Sequence, residues 1–295
     1  MGKYVIIYNM EVEKYNQRIL RLLSLYLNDY SDMIKEDEVK KITSLGLSET
    51  EAVAILLATY LGLDINDNME DKILYNEYIK NMLILEDETK YVDNPYYQNI
   101  KLNYKKYHNW QIKIGHYKAY QLFVCDDMEK IDGKIIPRIG YFNKIFKYDS
   151  IYQNDRLWMS ITPNEINTMK KDIDDAFGNV CTLGLGMGYF AYMCAIKDNV
   201  KKVRIIELDK DVISLFKKEI ITKFEKNIQD KIEIINMDAY EYLNQDLSDI
   251  DYLFVDIYHD VSDAMEAYKR IKTIEEKHKN IIWRYWIEKT IKLYL

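Results

Sequence analysis

The chain has 295 residues, of which 48% are hydrophobic and 30% charged, the composition of an ordinary globular protein with room for two domains. Its net charge of −7, with acids and bases interspersed, argues against nucleic acid as a partner. The three cysteines and four histidines form no metal-spaced motif, and neither a leader nor a membrane-length apolar run is visible. We therefore expect a cytoplasmic protein with a small-molecule substrate and without a metal or a membrane partner.

The first 105 residues are predicted to form a helical module. Apolar residues recur at helical spacing over about 11–35 and 69–86. Between these stretches, the capping box Ser48-Glu-Thr-Glu51 precedes an apolar helix over 52–63. We expect these helices to pack as a small bundle that serves stability or forms a homodimer.

An alternating apolar pattern replaces the helical one over about 106–160, which predicts a small β-rich segment. Gly115 with His116 is predicted to form a turn between its first two strands, and the pair Asp132-Gly133 indicates a hairpin turn further along. Near its end, Trp158 and Ser160 are predicted either to line a cofactor pocket on the substrate side or to pack as a connector between domains.

Residues 161–295 alternate between short β-branched runs and helical stretches, which is typical of a parallel α/β sheet. The first apolar run ends at Leu183. Three alternate glycines follow, Gly184, Gly186 and Gly188, and a helix can begin after them. Glycine permits a tight turn and a close approach of a ligand to the backbone, so this unit predicts a nucleotide site.

Three runs of this region each deliver an acid where the predicted strand ends. Glu207 stands 23 residues after Gly184, Asp238 and Ala239 follow the next run, and Asp256 ends the run after that. The carboxyl ends of parallel strands share one edge of the sheet, and ligands bind outside that edge. We therefore expect these acids to surround one ligand, with Glu207 on its ribose hydroxyls.

The glycine loop and the three acids, taken in this order, resemble the class I S-adenosylmethionine-dependent methyltransferases, and more narrowly their spermidine synthase-like branch, over about 158–287. The resemblance implies a Rossmann-like sheet, S-adenosylmethionine as the cofactor, and a methyltransferase that acts on a small-molecule acceptor such as an amine. The residues to which it assigns the cofactor are Gly184, Gly186 and Gly188 for the methionine part, Glu207 for the ribose, and Asp238 with Ala239 for the adenine.

The family's sheet continues past its fifth strand with a helix and two more strands. Only eight residues follow the predicted last strand at 280–287. We therefore expect the sheet to be truncated after the fifth strand.

The stretch that follows the fourth strand is the expected acceptor site. Asp256 is the leading candidate for contact with the acceptor, and it could take a proton from an amine. His259 is the second candidate, because a histidine titrates near neutral pH, although a cap or a surface position suits it equally. Tyr258 is expected to complete the acceptor pocket.

Three alternatives stay open. The resemblance also fits an aminopropyltransferase, but polyamine synthases carry an acid where this chain has His259 and another in the glycine loop, where it has Leu185 and Met187. A dehydrogenase fits the pattern G-x-G-x-x-A in a register that begins at Gly186, two residues late for a dinucleotide fold. A nucleotide-binding protein without turnover would keep the same residues.

Overall fold

The structure is a computed structural model that describes residues 2–104, 106–107 and 109–295. The chain forms two compact units. The first comprises Met1–Glu88 with His116–Lys147, and the second Thr89–Gly115 with Tyr148–Leu295. The chain therefore passes three times from one unit to the other.

The expected boundaries, after residue 105 and after residue 160, differ from the divisions between these units. Residue 105 itself lies outside the described residues. Residues 116–147, which were predicted to belong to a separate β-rich segment, cluster with the N-terminal helices because their strands share a hydrophobic core with them.

The described elements are numbered in chain order. The helices are α1 (Gly2–Asp29), α2 (Glu36–Thr43), α3 (Glu49–Tyr60), α4 (Met69–Leu74), α5 (Lys80–Met82), α6 (Thr89–Val92), α7 (Pro95–Asn99), α8 (Pro163–Asp175), α9 (Tyr189–Ala195), α10 (Lys210–Leu215), α11 (Lys226–Gln229), α12 (Ala239–Leu243), α13 (Val261–Glu275) and α14 (Glu288–Lys292). The strands are β1 (Leu83–Leu85), β2 (Lys106–Tyr107), β3 (Trp110–Tyr117), β4 (Phe123–Ile131), β5 (Lys134–Tyr141), β6 (Phe146–Gln153), β7 (Arg156–Ser160), β8 (Gly178–Leu183), β9 (Val200–Glu207), β10 (Ile232–Asn236), β11 (Tyr252–Val255) and β12 (Ile282–Tyr285). No described helix has both the length and the apolar character needed to cross a bilayer.

The first unit combines α1–α5 with a sheet of order β1-β5-β4. The capping box predicted before α3 is present: Ser48 and Glu51 each accept the other's backbone N–H with a side-chain oxygen. The predicted hairpin turn is also present, with Asp132 and Gly133 at φ +49° and +82° between β4 and β5.

The core of the first unit lies between its helices and its sheet. Ile19 of α1 and Ile139 of β5 are fully buried in it. The Asn16 side chain, 2% exposed, accepts the hydroxyl of Tyr78 at 3.0 Å and the N–H of Ile135 at 2.9 Å. Asn16 therefore connects α1 both to the π-helical segment Tyr75–Ile79 before α5 and to the start of β5.

The second unit contains a five-stranded parallel sheet of order β10-β9-β8-β11-β12. The mostly parallel α/β architecture predicted from the sequence is therefore confirmed. The strand order reverses between β8 and β11, and in open α/β sheets ligands bind at such a point, outside the carboxyl ends of the strands. The glycine loop follows β8 and Asp256 follows β11, so both lie there.

Candidate active site

A cavity of about 840 Å³ opens at the carboxyl edge of the parallel sheet. The glycine loop, the ends of β9, β10 and β11, strand β7 and helices α8 and α13 line it. The site residues predicted from the sequence that line this cavity are Trp158, Ser160, Gly184, Gly186, Glu207, Asp238, Ala239, Asp256, Tyr258 and His259. Gly188 is absent from the lining, because it packs beneath the ring of Phe216.

The first two glycines of the loop are required by close contacts. Gly184 has φ +99°, and a Cβ there would lie 2.0 Å from the carbonyl oxygen of Asp256. Gly186 has φ +53°, and a Cβ there would lie 2.3 Å from Sδ of Met159. A larger residue at position 184 would displace the backbone that follows β11, whereas at position 186 the end of the Met159 side chain could move aside and the positive φ is what favours glycine.

Glu207 is held against the glycine loop by two backbone N–H groups. Leu185 donates to Oε2 at 3.1 Å, and Asp209 donates to Oε1 at 2.8 Å. Burial raises the pKa of Glu207, and these two bonds oppose that rise. Each carboxylate oxygen keeps further acceptor capacity, which suits a pair of ligand hydroxyl groups.

Asp238 caps α12, since its Oδ1 accepts the N–H groups of Tyr240 and Glu241 at 2.9 and 3.1 Å. Oδ2 takes no part in these two bonds. The side chain of Arg270 on α13 lies over the ring of Tyr240, 3.6 Å from its centroid. Tyr240 and Arg270 line this end of the cavity, and the sequence interpretation did not identify either of them.

Asp256 shares the cavity with Glu165, the third residue of α8, which the sequence interpretation also missed. Burial, and secondarily Glu207, raises the pKa of Asp256 to about 7. Burial, and secondarily Asp256, raises the pKa of Glu165 well above its usual range. Among the described residues, neither side-chain carboxylate has a hydrogen bond or an ion pair, so the two acids face the cavity without a counter-ion.

Tyr258 and His259 contribute in different ways. The hydroxyl of Tyr258 donates to the carbonyl of Trp286 at 2.7 Å, and the two rings stack with centroids 6.1 Å apart. This hydroxyl therefore fixes an aromatic wall. The side chain of His259 is 78% exposed and lies 3.7 Å from the carboxylate of Asp263 at the mouth of the cavity. A role for His259 in proton transfer stays a prediction.

Strand β7 provides the opposite wall. Trp158 packs edge-on against Trp110, with ring centroids 5.1 Å apart. The neighbouring Met159 covers Gly186, and its Sδ accepts the N–H of Met187 at 3.1 Å. The part of the expected β-rich segment that lines the cavity is thus its last strand.

Acids predominate among the charged residues that line the cavity. The acidic and basic lining residues are Glu165, Glu207, Asp209, Asp238, Asp256, His259, Asp263, Glu266 and Arg270. Arg270 is the one lining residue with a permanent positive charge. Among the described residues, no group of three His, Cys, Asp or Glu side chains could hold a metal ion. The cavity is therefore suited to a ligand with positive charge.

Comparison with known proteins yields one family. Residues 141–279, just under half of the chain, match the model of the Spermine/spermidine synthase domain. No curated protein matches the chain. The family match fits the spermidine synthase-like branch of class I methyltransferase-like folds. It favours the aminopropyltransferase alternative and lends no support to methyl transfer.

Proposed function

We propose that the protein transfers an aminopropyl group from decarboxylated S-adenosylmethionine to an amine. Two observations support this reaction. The matched family uses decarboxylated S-adenosylmethionine as a substrate, and acids outnumber cations among the charged residues that line the cavity at the switch point of the sheet. The donor carries positive charge on its sulfonium and its amine and has no carboxylate, whereas S-adenosylmethionine itself would bring a carboxylate among these acids.

The observation that carries the proposal is the pair Glu165 and Asp256. Both residues are half-buried; a carboxylate that is partly removed from water and has no partner is costly, and a second one nearby increases the cost. An ammonium group between them would relieve both. Asp256 also follows β11 directly, beside Gly184, so a ligand held here lies next to the glycine loop.

The rest of the donor would lie along the carboxyl edge. Glu207 would accept the ribose hydroxyls, while Asp238 and Ala239 would border the adenine. The stacked rings of Tyr258 and Trp286 would contact the methylene chain of an amine and exclude water from it.

The donor supplies a carbon made electrophilic by the attached sulfonium. The acceptor amine attacks this carbon with its lone pair, a C–N bond forms, and the C–S bond breaks with its electron pair left on sulfur. The attacking nitrogen must be neutral and in line at about 3–3.5 Å. Asp256, which follows β11 directly, would take the proton that the nitrogen gives up.

The test is an assay in which the purified protein receives decarboxylated S-adenosylmethionine together with putrescine, cadaverine or spermidine. We expect mass spectrometry to detect an amine heavier by one aminopropyl group, together with methylthioadenosine. Asp256→Asn should lower the rate by about a hundredfold or more, the range of general-base loss. If methylated amines form from S-adenosylmethionine and no product forms from the decarboxylated donor, the proposal is wrong and the protein is a methyltransferase.

A further inference from the structure

The glycine loop has little capacity left to bind an anion. Its N–H groups at Gly184, Leu185 and Gly188 donate to the Ile206 carbonyl, to Glu207 and to the Leu185 carbonyl, at 2.8, 3.1 and 2.8 Å. The N–H of Met187 donates to the sulfur of Met159 at 3.1 Å. The N–H of Gly186 is the one without a partner among the described residues.

Met159 also occupies the space over the loop. A single Cβ on Gly186 would lie 2.3 Å from Sδ and 2.4 Å from Cε of Met159. The side chain thus covers the peptide between Gly186 and Met187 and accepts the Met187 N–H, which has no other acceptor among the described residues. A thioether is a weak acceptor, so a carboxylate would replace it if it could reach this N–H.

We propose that Met159 selects the donor by blocking the access of the α-carboxylate of S-adenosylmethionine to the glycine loop. This inference rests on the proposed function and assigns its donor selectivity to one side chain. A donor without the carboxylate needs no N–H group from the loop, because its ammonium group is attracted by Glu165 and Asp256. A donor with the carboxylate loses solvation of that group and gains neither the Met187 N–H nor a nearby cation, so the Gly186 N–H is the single loop donor left to it among the described residues.

Met159→Ala tests the inference because it should produce a gain of binding, which a damaged fold would not. Calorimetry, with no acceptor present, measures the affinities of the variant and the wild type for S-adenosylmethionine, for its decarboxylated form and for methylthioadenosine. We expect the preference for the decarboxylated donor to fall by about tenfold, the effect of roughly one hydrogen bond to a charged group. Methylthioadenosine lacks the amino-acid chain, so its affinity should stay unchanged.

Leu157→Ala is the matched control, since Leu157 lies on the same strand, lines the same cavity and is 53% exposed. It should keep the wild-type preference. The inference is overturned if the preference of Met159→Ala stays within about twofold of the wild type, or if Leu157→Ala changes it equally. Product formation tests the proposed function separately, because these affinities are measured without turnover.

Discussion

At the scale of single residues, the unpartnered acids link ligand binding to pH. The folded protein raises the pKa of Asp256 from the ordinary value of 3.8 to about 7. Between these values the folded state binds more protons than the unfolded state, so this group's contribution lowers stability as the pH rises. The ligand-free protein should therefore gain stability from Asp256 as the pH falls through this window, which is opposite to the behaviour of an ion-paired aspartate.

A bound ammonium group should reverse this titration and expel the proton. We expect calorimetry at about pH 6, repeated in buffers of different ionisation enthalpy, to show release of up to about one proton per donor bound. Asp256→Asn and Glu165→Gln should each reduce that number, whereas Glu165→Asp should restore part of it. Binding of the donor by the wild type without proton release would contradict the proposed pairing.

Some residues of the site could be predicted from the sequence, and others could not. The acids that end β9 and β11 could be predicted, because a glycine turn and a run of parallel strands place such residues at one edge. Glu165 gave no comparable signal, since an acid in the first turn of a helix is favoured by the helix dipole wherever the helix lies. Its position beside Asp256 depends on how α8 packs on the sheet.

At the scale of elements, α7 supports the glycine loop from outside the cavity. Tyr96 is fully buried, and its hydroxyl donates to the carbonyl of Met187 at 2.8 Å. Asn94, which caps α7, donates to the hydroxyl of Tyr189 at 2.8 Å. Both ends of the turn that leads into α9 are therefore held by one short helix.

Tyr96→Phe should weaken the attachment of the glycine loop to α7, while the remaining ring still fills its place in the core. Loss of the hydrogen bond to the Met187 carbonyl is expected to weaken donor binding several-fold, equivalent to about 1 kcal/mol. Tyr192→Phe is the control: Tyr192 is equally buried on α9 and accepts a hydrogen bond from Asn99 at 2.9 Å, away from the loop. Equal losses of donor affinity in the two variants, measured by calorimetry, would refute a specific role for Tyr96.

Two elements were predicted wrongly from local pattern. The helical periodicity over 69–86 continues through residues that the structure places in β1, whose pairing with β5 is a long-range contact. A turn predicted at Gly115 is absent, because β3 runs through it. That glycine serves packing instead, since a Cβ there would lie 2.3 Å from the ring of Tyr148. Both errors arise from contacts that the local sequence does not encode.

At the scale of the whole molecule, the two units should respond to different perturbations. Asn16→Ala removes the oxygen that accepts both the hydroxyl of Tyr78 and the N–H of Ile135, and should destabilise the first unit by roughly 2–4 kcal/mol. Hydrogen exchange should then accelerate in α1 and β5, while donor affinity stays unchanged.

Asn76→Ala, which removes an exposed side chain in the same unit, is the control and should leave exchange unchanged. Added donor should slow exchange in β8 and β9 of wild type and of both variants alike. A loss of donor affinity in Asn16→Ala would contradict this expectation. The homodimer expected through the N-terminal helices stays a prediction that light scattering can check.

The interleaved path of the chain constrains the order in which the protein folds on the ribosome. The first unit cannot close its core until β5 has emerged, because Ile136, Ile139 and Tyr141 belong to that core. By then, residues 89–115 have already been synthesised, but the parallel sheet of the second unit, to which they belong, has not. During synthesis this segment, which includes Tyr96, therefore lacks its packing partners at least until β8 and α9 have been made. Chaperone binding during translation should concentrate there.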